Sequence, residues 1–515
     1  MAPKEKTRCH PSWSQTSPNT YVQKYGFQEV LYNAICVPPG SPGLFLIGSC
    51  VTLKYTPSAT PAGIKKGQPV KDLVPRLRHA WLQVRQQFPE LAAENLPEGK
   101  TYKSPSSPAD LEAWLQDTFI VASGETFSGR WKRLVKTRQM TMYFFPEERQ
   151  LFLQGEHIIF DGRGIMNFWD LFFRSLASQS PATLRAPMDD SVDGSDVPLL
   201  LPRSEDILDM AEKQPGRGEA RALEMLAPVV GMDAPITFPF PRPFSPVSPL
   251  NSFHTLRISH LHTAAVTAAC RAQKLSVTGA WHAAMVRAIQ STQAERLDQQ
   301  RQLGYDVGEV RAGTQFACFG NFDLRRYFPR STDGLPAASS TAPQPAHSSV
   351  LGNHHCVIPF VVSAPGDKTF GELARETSAY YAQDLPKADP EVWSALGPMI
   401  RQLAPDFVRT TGSDGPIEET TPALSSLGVV DQFIGSSYTD AQEMGGGVWD
   451  LEDMWFGNTV TGPWLECFMW SWQGRMTLNS CYSPAYYDEA ELEKFHQLVV
   501  QKLLNGLGIA DQAKL

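Results

Sequence analysis

The stretch His157-Ile158-Ile159-Phe160-Asp161-Gly162 decides how this chain is read. It has the form H-x-x-x-D-G and stands between an apolar run and a segment of helical periodicity. A neutral histidine can take a proton from a hydroxyl or an amine, and an aspartate four residues on can fix the turn that aims it. That is the minimal equipment of a general-base transfer. Chance is a poor source of the pattern: with 11 His and 38 Gly in 515 residues, roughly 0.04 matches are expected at random. No other histidine of the chain has Asp at the fourth position after it.

The flanks place the histidine at a strand end. Met140-Thr141-Met142-Tyr143-Phe144-Phe145 and Leu151-Phe152-Leu153-Gln154-Gly155-Glu156 read as a hairpin about the charged turn Glu147-Glu148-Arg149-Gln150. Downstream, Ile165, Phe168, Trp169, Phe172, Phe173 and Leu176 recur at helical spacing. A rigid strand–turn–helix of this kind commonly displays a functional side chain at its turn.

These residues resemble the signature of the CoA-dependent acyltransferase superfamily. That group includes chloramphenicol acetyltransferase, carnitine acyltransferases, plant BAHD acyltransferases and peptide-synthetase condensation domains. Further segments fall in the same order: Asn321-Phe322-Asp323-Leu324-Arg325-Arg326 resembles the D-x-R-type strand, Leu351-Gly352-Asn353 the G-N that follows it, and Leu424-Ser425-Ser426-Leu427-Gly428 a C-terminal strand passing the active site. Length and the S-S-L-G-V-V-D element look most like the fungal trichothecene 15-O-acetyltransferase group. The chain also departs from the superfamily's patterns. Glu156 stands where condensation domains have a second histidine, and the plant-type D-F-G-W-G is absent, Asp453-Met454-Trp455-Phe456-Gly457 being its nearest echo. His354-His355 has Ile358 and Pro359 at the fourth positions after it, so it reads as part of a strand near the G-N turn rather than as a second motif.

The resemblance implies an α/β (α+β) fold of two chloramphenicol-acetyltransferase-like lobes, each a mixed sheet with helices, with the active site in a channel between them. The sequence divides accordingly. Residues 1–234 would form the N-terminal lobe carrying H-x-x-x-D-G, 235–252 a Pro-rich crossover, and 253–515 the C-terminal lobe. Six prolines between Pro235 and Pro249 keep the crossover extended. The Ser-, Ala-, Pro- and Thr-rich stretch 330–349 reads as a mobile insertion. Helical stripes are expected along Val70 to Phe88, His262 to Gln273 and Val277 to Ile289. A strand is expected from Phe253 to Ser259, a hairpin turns about Gln473-Gly474, and a closing helix is capped by Asp488 and Glu491.

Composition narrows the chemistry. A net charge of −8 gives no footing for nucleic-acid binding. There is no apolar run of membrane-spanning length, and the polar residues 1–20 lack a signal-peptide core, which predicts a cytoplasmic protein without membrane insertion. Ala513-Lys514-Leu515 is close to the S-K-L address, giving a peroxisomal alternative. The eight dispersed cysteines form no CxxC or Cys/His cluster, so neither a metal nor a disulfide framework is expected. G-x-S-x-G, P-loop and G-x-G-x-x-G motifs are missing, and Gly445-Gly446-Gly447 lacks a phosphate-binding context.

The expected activity is acetyl-CoA-dependent O-acetylation, or transfer from another acyl-CoA, onto a hydroxyl of a fungal secondary metabolite such as a trichothecene-like sesquiterpenoid. The protein would act as a monomer with no bound cofactor, taking a small-molecule alcohol and acyl-CoA as substrates. An amide-forming condensation-like domain and an inactive binding protein on the same fold are the alternatives. His157 is the expected general base. By the resemblance, Asp161 turns from the substrate to pair with an arginine, for which Arg325 is the candidate and Arg326 the second. Gly162 is expected to let the backbone turn tightly. Ser425 and Ser426 are candidates to hydrogen-bond the tetrahedral oxyanion or the thioester, each contributing about 2–4 kcal/mol if preorganised.

Overall fold

Apolar residues alternate or run continuously along the strands that precede the motif, and they place it at the end of an inner strand of a sheet. The computed structural model describes residues 10–36, 45–57, 73–185, 192, 194–210, 216–230, 232, 235–239, 251–302, 313–329, 350–412, 419–441, 446–460 and 462–509. The stretch 330–349, most of the Pro-rich crossover and Ala513-Lys514-Leu515 lie outside them. In chain order the framing strands are β1 (Leu46–Pro57), β2 (Phe119–Val121), β3 (Thr141–Phe145), β4 (Gln150–Glu156), β5 (Ser252–Arg257), β6 (Gln315–Asp323), β7 (His355–Ser363), β8 (Ala423–Val429), β9 (Ser437–Asp440), β10 (Gly447–Asn458), β11 (Leu465–Trp472) and β12 (Arg475–Tyr482). The framing helices are α1 (Phe27–Cys36), α2 (Leu73–Gln87), α3 (Gly162–Ala177), α4 (His260–Ala272), α5 (Val277–Gln302) and α6 (Glu489–Gly506).

The first sheet has the order β9-β10-β1-β4-β3-β2. Its hairpin β3–β4 pairs Phe145 with Gln150 across the charged turn. Two of its strands, β9 and β10, come from the far side of the Pro-rich stretch, and β10 pairs with β1 from Gly447↔Pro57 to Asn458↔Ile47. The second sheet has the order β5-β12-β11-β8, with β8 parallel to β11 and the other pairs antiparallel. A separate ladder joins β6 to β7 along nine residue pairs, Gln315↔Ser363 to Asp323↔His355.

The buried apolar residues form two cores. Strand β11 serves both, because its side chains alternate: Phe468, Trp470 and Trp472 enter the first core, Leu465, Cys467 and Met469 the second. The second core is closed by α5, which runs on to Gln302, past the expected end near Ile289, and by α6, whose N-cap Asp488 and Glu491 form a capping box.

Helix α3 follows the motif directly. Asp161 is its N-cap, with extended backbone and a side chain that accepts from the Gly164 amide. Ile165, Phe168, Trp169, Phe172, Phe173 and Leu176 are all fully buried beneath it, each contributing up to about 1.5–3 kcal/mol. The Trp169 indole N–H donates to Ser49 of β1 at 2.9 Å, tying helix to sheet.

Candidate active site

The site starts where the β1–β4 ladder ends. Leu46 pairs with Glu156, and one residue on the His157 amide donates to the Phe45 carbonyl at 3.2 Å. The chain must then turn into α3. Asp161 holds that turn with both carboxylate oxygens: one accepts from the Gly164 amide at 2.6 Å, the other from the His354 amide at 2.6 Å and from Arg325 Nη1 at 2.9 Å. Burial alone would raise the Asp161 carboxyl, yet the Arg325 guanidinium, with His355 and the amide donors, holds it well below the usual carboxylate range.

Arg325 is fully buried. It lies not in a strand but in the 3₁₀ turn Leu324–Tyr327 just after β6. Its remaining donors reach the Val350 carbonyl at 2.6 Å, the Gly352 carbonyl at 2.9 Å and Asp323 at 3.0 Å, so all three guanidinium nitrogens are engaged. Arg326 instead stacks over Tyr327 at the surface.

The turn's close approaches fall on other glycines than Gly162. Gly162 is the first helical residue and has no positive φ; a Cβ there would meet only the flexible Leu427 Cδ2, at 2.7 Å. Gly164 is the constrained position, since a Cβ there would collide with the Gly352 carbonyl oxygen. Gly352 itself has φ of +94°, a backbone that favours glycine. Its carbonyl accepts from both Asp161 N and Arg325.

His157 is 7% exposed. Its ring stacks on Phe45 at 5.3 Å and packs against Tyr32 at 4.4 Å. Nδ1 is enclosed with no side-chain partner among the described residues, and the backbone carbonyls of His157 itself and of Phe160 lie against the ring. Burial, and secondly the nearby His355, push its pKa down to about 3, so the ring is neutral at physiological pH. The residue before it is spent on structure: Glu156 accepts from Asn95 at 2.8 Å and pairs with Lys136 at 2.8 Å.

The two candidate serines part company on β8. Leu424 lies in the second core and Ser426 bonds Thr278 of α5 at 2.8 Å, so that face looks to the helices. Ser425 pairs with Phe468 of β11 and takes the opposite face; Leu427, unpaired at the irregularity between Ser426 and Gly428, packs on the first core and approaches Gly162. Strand β11 adds Glu466 on the face that Phe468 and Trp470 occupy; burial raises its carboxyl to about 7, and its charge is felt by Tyr32. Asp453, in the echo of the plant motif, pairs with Arg257 at the surface.

Three side chains at the site carried no role in the sequence reading. Tyr32 and Phe45 come from apolar stretches more than 100 residues before the motif. His355, treated above as an ordinary strand residue, stands with its ring 6.0 Å from that of His157 and its Nδ1 3.8 Å from Asp161. A G-N followed by two histidines was the available signal. Among the described residues no group of three or more His, Cys, Asp or Glu is placed to hold a metal ion, and no helix is long and apolar enough to cross a membrane.

No family model matches the chain. It is 24% identical over 500 residues to acetyltransferase pigO of Monascus ruber, covering 97% of this chain and 99% of that one. It is 25% identical over 462 residues to a protein of Epichloe uncinata named loline biosynthesis cluster 1 transcription factor lolU1, covering 86% and 87%. Among solved structures, the TRI3 trichothecene 15-O-acetyltransferase of Fusarium sporotrichioides superposes with a TM-score of 0.73 at 15% identity, covering 96% of this chain and 98% of that one. The condensation domain of the monacolin K polyketide synthase MokA does so with a TM-score of 0.55 at 11% identity, covering 96% and 98%. The chain therefore has the two-lobed fold shared by this acetyltransferase and the condensation domains.

Proposed function

We propose that the protein is an acyl-CoA-dependent O-acyltransferase, most simply an acetyltransferase, with His157 as general base and a hydroxyl of a trichothecene-like fungal secondary metabolite as acceptor. The relatives named as acetyltransferases support the acyltransferase class. The observation that carries the mechanism is a neutral His157 with an enclosed Nδ1, on a turn braced by the buried Asp161–Arg325 pair.

The acceptor oxygen attacks the thioester carbonyl as its proton passes to Nε2 of His157. The tetrahedral intermediate collapses, the C–S bond breaks, and the imidazolium returns the proton to the departing CoA sulfur. A base held near pKa 3 is weak in the resting site. The developing oxyanion supplies the opposite charge that raises it at the moment of transfer. Ser425, on the face turned towards α3, is the better placed of the two serines to meet that oxyanion. Asp161 keeps its charge for Arg325 and acts on the turn, not on the proton. Acyl-CoA and acceptor would enter a channel between the lobes 1–234 and 253–515. The protein would work as a monomer in the cytoplasm, with a peroxisomal alternative through Ala513-Lys514-Leu515.

The condensation-domain neighbours favour a second reading, amide formation. Against it, the position of their second histidine holds Glu156, engaged with Lys136 and Asn95. The transcription-factor name of one relative suggests a non-catalytic protein; a net charge of −8 gives a phosphate backbone no electrostatic footing. Release of free CoA from acetyl-CoA, dependent on an added alcohol, separates the enzyme from the binding protein. An amine accepted in preference to every alcohol would favour the amide reading.

A further inference from the structure

Beyond the motif, three side chains from distant parts of the chain close a loop around His157. Tyr32 of α1 bonds its hydroxyl to His355 Nε2 at 2.6 Å. His355 Nδ1 meets Asn353 Oδ1 at 2.9 Å. Asn353 Nδ2 meets the His157 carbonyl at 3.0 Å and the Ile158 carbonyl at 3.4 Å. The loop shuts because the Tyr32 ring lies against the His157 ring, with centroids 4.4 Å apart.

The direction of each bond is fixed by chemistry. Two carbonyls can only accept, so the Asn353 amide nitrogen faces them and its oxygen faces His355. His355 Nδ1 must then carry the hydrogen, which leaves Nε2 as an acceptor and makes Tyr32 the donor. The Tyr32–His355 link is enclosed, with Tyr32 6% and His355 8% exposed, while Asn353 is half-buried. No side chain among the described residues bonds His157 Nδ1; the carbonyls of His157 itself and of Phe160 lie against the ring, and this loop adds the bracing that a carboxylate gives to histidine bases elsewhere.

We propose that Tyr32, His355 and Asn353 form a directed hydrogen-bonded clamp that positions His157, Asn353 holding its backbone and Tyr32 its ring. This rests on His157 being the base. The three are positioning residues, and they also set the ring's surroundings. The groups facing His157 are His355 and Asp161, with Tyr32 against its ring and Glu466 beyond Tyr32. Of these, His355 is the second cause, after burial, of the low pKa of His157.

The test uses the full chain with Tyr32→Phe, which keeps the ring and loses the hydroxyl, and with His355→Leu against His355→Gln. Loss of the clamp should lower kcat roughly 10–100-fold with KM for both substrates within about threefold, as for a misaimed base. His355→Gln, which keeps a donor and an acceptor, should recover part of the loss. The Tyr32→Phe/His355→Leu double variant should be no worse than the poorer single, because the links act as one unit. In His355→Leu the acid limb of kcat/KM and the NMR titration of the His157 ring should both move to higher pH. Unchanged kcat with an unmoved His157 titration, or losses confined to KM, would overturn the clamp. If His157→Ala itself stays active the general-base reading fails, while the His157 titration in folded Tyr32→Phe and His355→Leu still decides the clamp.

Discussion

Arg325→Met removes the one guanidinium that reaches the Asp161 carboxylate, while keeping a long apolar stem. Four attachments go at once: the ion pairs to Asp161 at 2.9 Å and Asp323 at 3.0 Å and the donors to the Val350 and Gly352 carbonyls at 2.6 and 2.9 Å. Arg325 is fully buried and Asp161 is 3% exposed, so water cannot readily take the guanidinium's place. Breaking a buried pair by removing one partner costs about 3–5 kcal/mol. Neither carbonyl is orphaned, because Val350 keeps the Asn167 amide at 3.0 Å and Gly352 keeps the Asp161 amide at 3.3 Å, so the broken ion pair sets the scale. A loss of roughly 3–5 kcal/mol, read by urea unfolding of the lobe that carries α3, is the expected outcome. The double variant with Asp161→Asn should be less damaged than the two singles added together, by at least about 1 kcal/mol of coupling. A loss below 1 kcal/mol, or strict additivity in the cycle, would refute the claim that this pair braces the turn.

Gly164→Ala should destabilise strongly or prevent folding, because its Cβ meets the Gly352 carbonyl oxygen, whereas Gly124→Ala, strained only by its φ of +76° with nothing near it, should be far milder; thermal unfolding compares them. Acid should weaken the fold through its buried histidines, opposed in part by Glu466, whose carboxyl burial raises to about 7 and which therefore favours the folded chain as pH falls from 7 towards 4.5. His157, His282 and His496 are held near pKa 3 by burial, so between about pH 6.5 and 3 the unfolded chain binds more protons and stability falls as pH falls, by roughly 1.4 kcal/mol per pH unit for each ring; urea midpoints at pH 7 and 5.5 measure it. Asp161, whose pKa is depressed, adds a loss of the same sign only below about pH 4. Incubation with acetyl-CoA alone should leave the intact mass unchanged, because the proposed mechanism uses a histidine as base and all six described cysteines whose side chains are placed are buried thiols; an acetyl adduct chased by acceptor would contradict direct transfer.

What the sequence made legible was local. The hairpin about Glu147-Glu148-Arg149-Gln150, the helix under Phe168 to Leu176 and the Asp488 capping box each carry their signal within a dozen residues, and each is in place. The partnership of Asp161 with Arg325 was visible only through the family resemblance, since 164 residues separate them. Tyr32 and His355, 323 residues apart, meet through packing that no periodicity encodes. The same holds for β9 and β10, which leave the C-terminal half to join the sheet of β1. Gly162 and Gly164 show the limit most sharply. The motif names the first, but steric need falls on the second, because only the folded chain brings the Gly352 carbonyl against it.

The proposed proton transfer depends on one imidazole, that of His157, and its removal is the most direct test. His157→Ala should keep the folded spectrum and unfolding midpoint near those of the parent, because Asp161, Arg325 and Gly352 brace the turn without the imidazole. Acceptor-dependent release of CoA from acetyl-CoA should fall by roughly 10²–10⁴. A well-folded His157→Ala protein that releases CoA at near the parental rate would contradict general-base catalysis at this site.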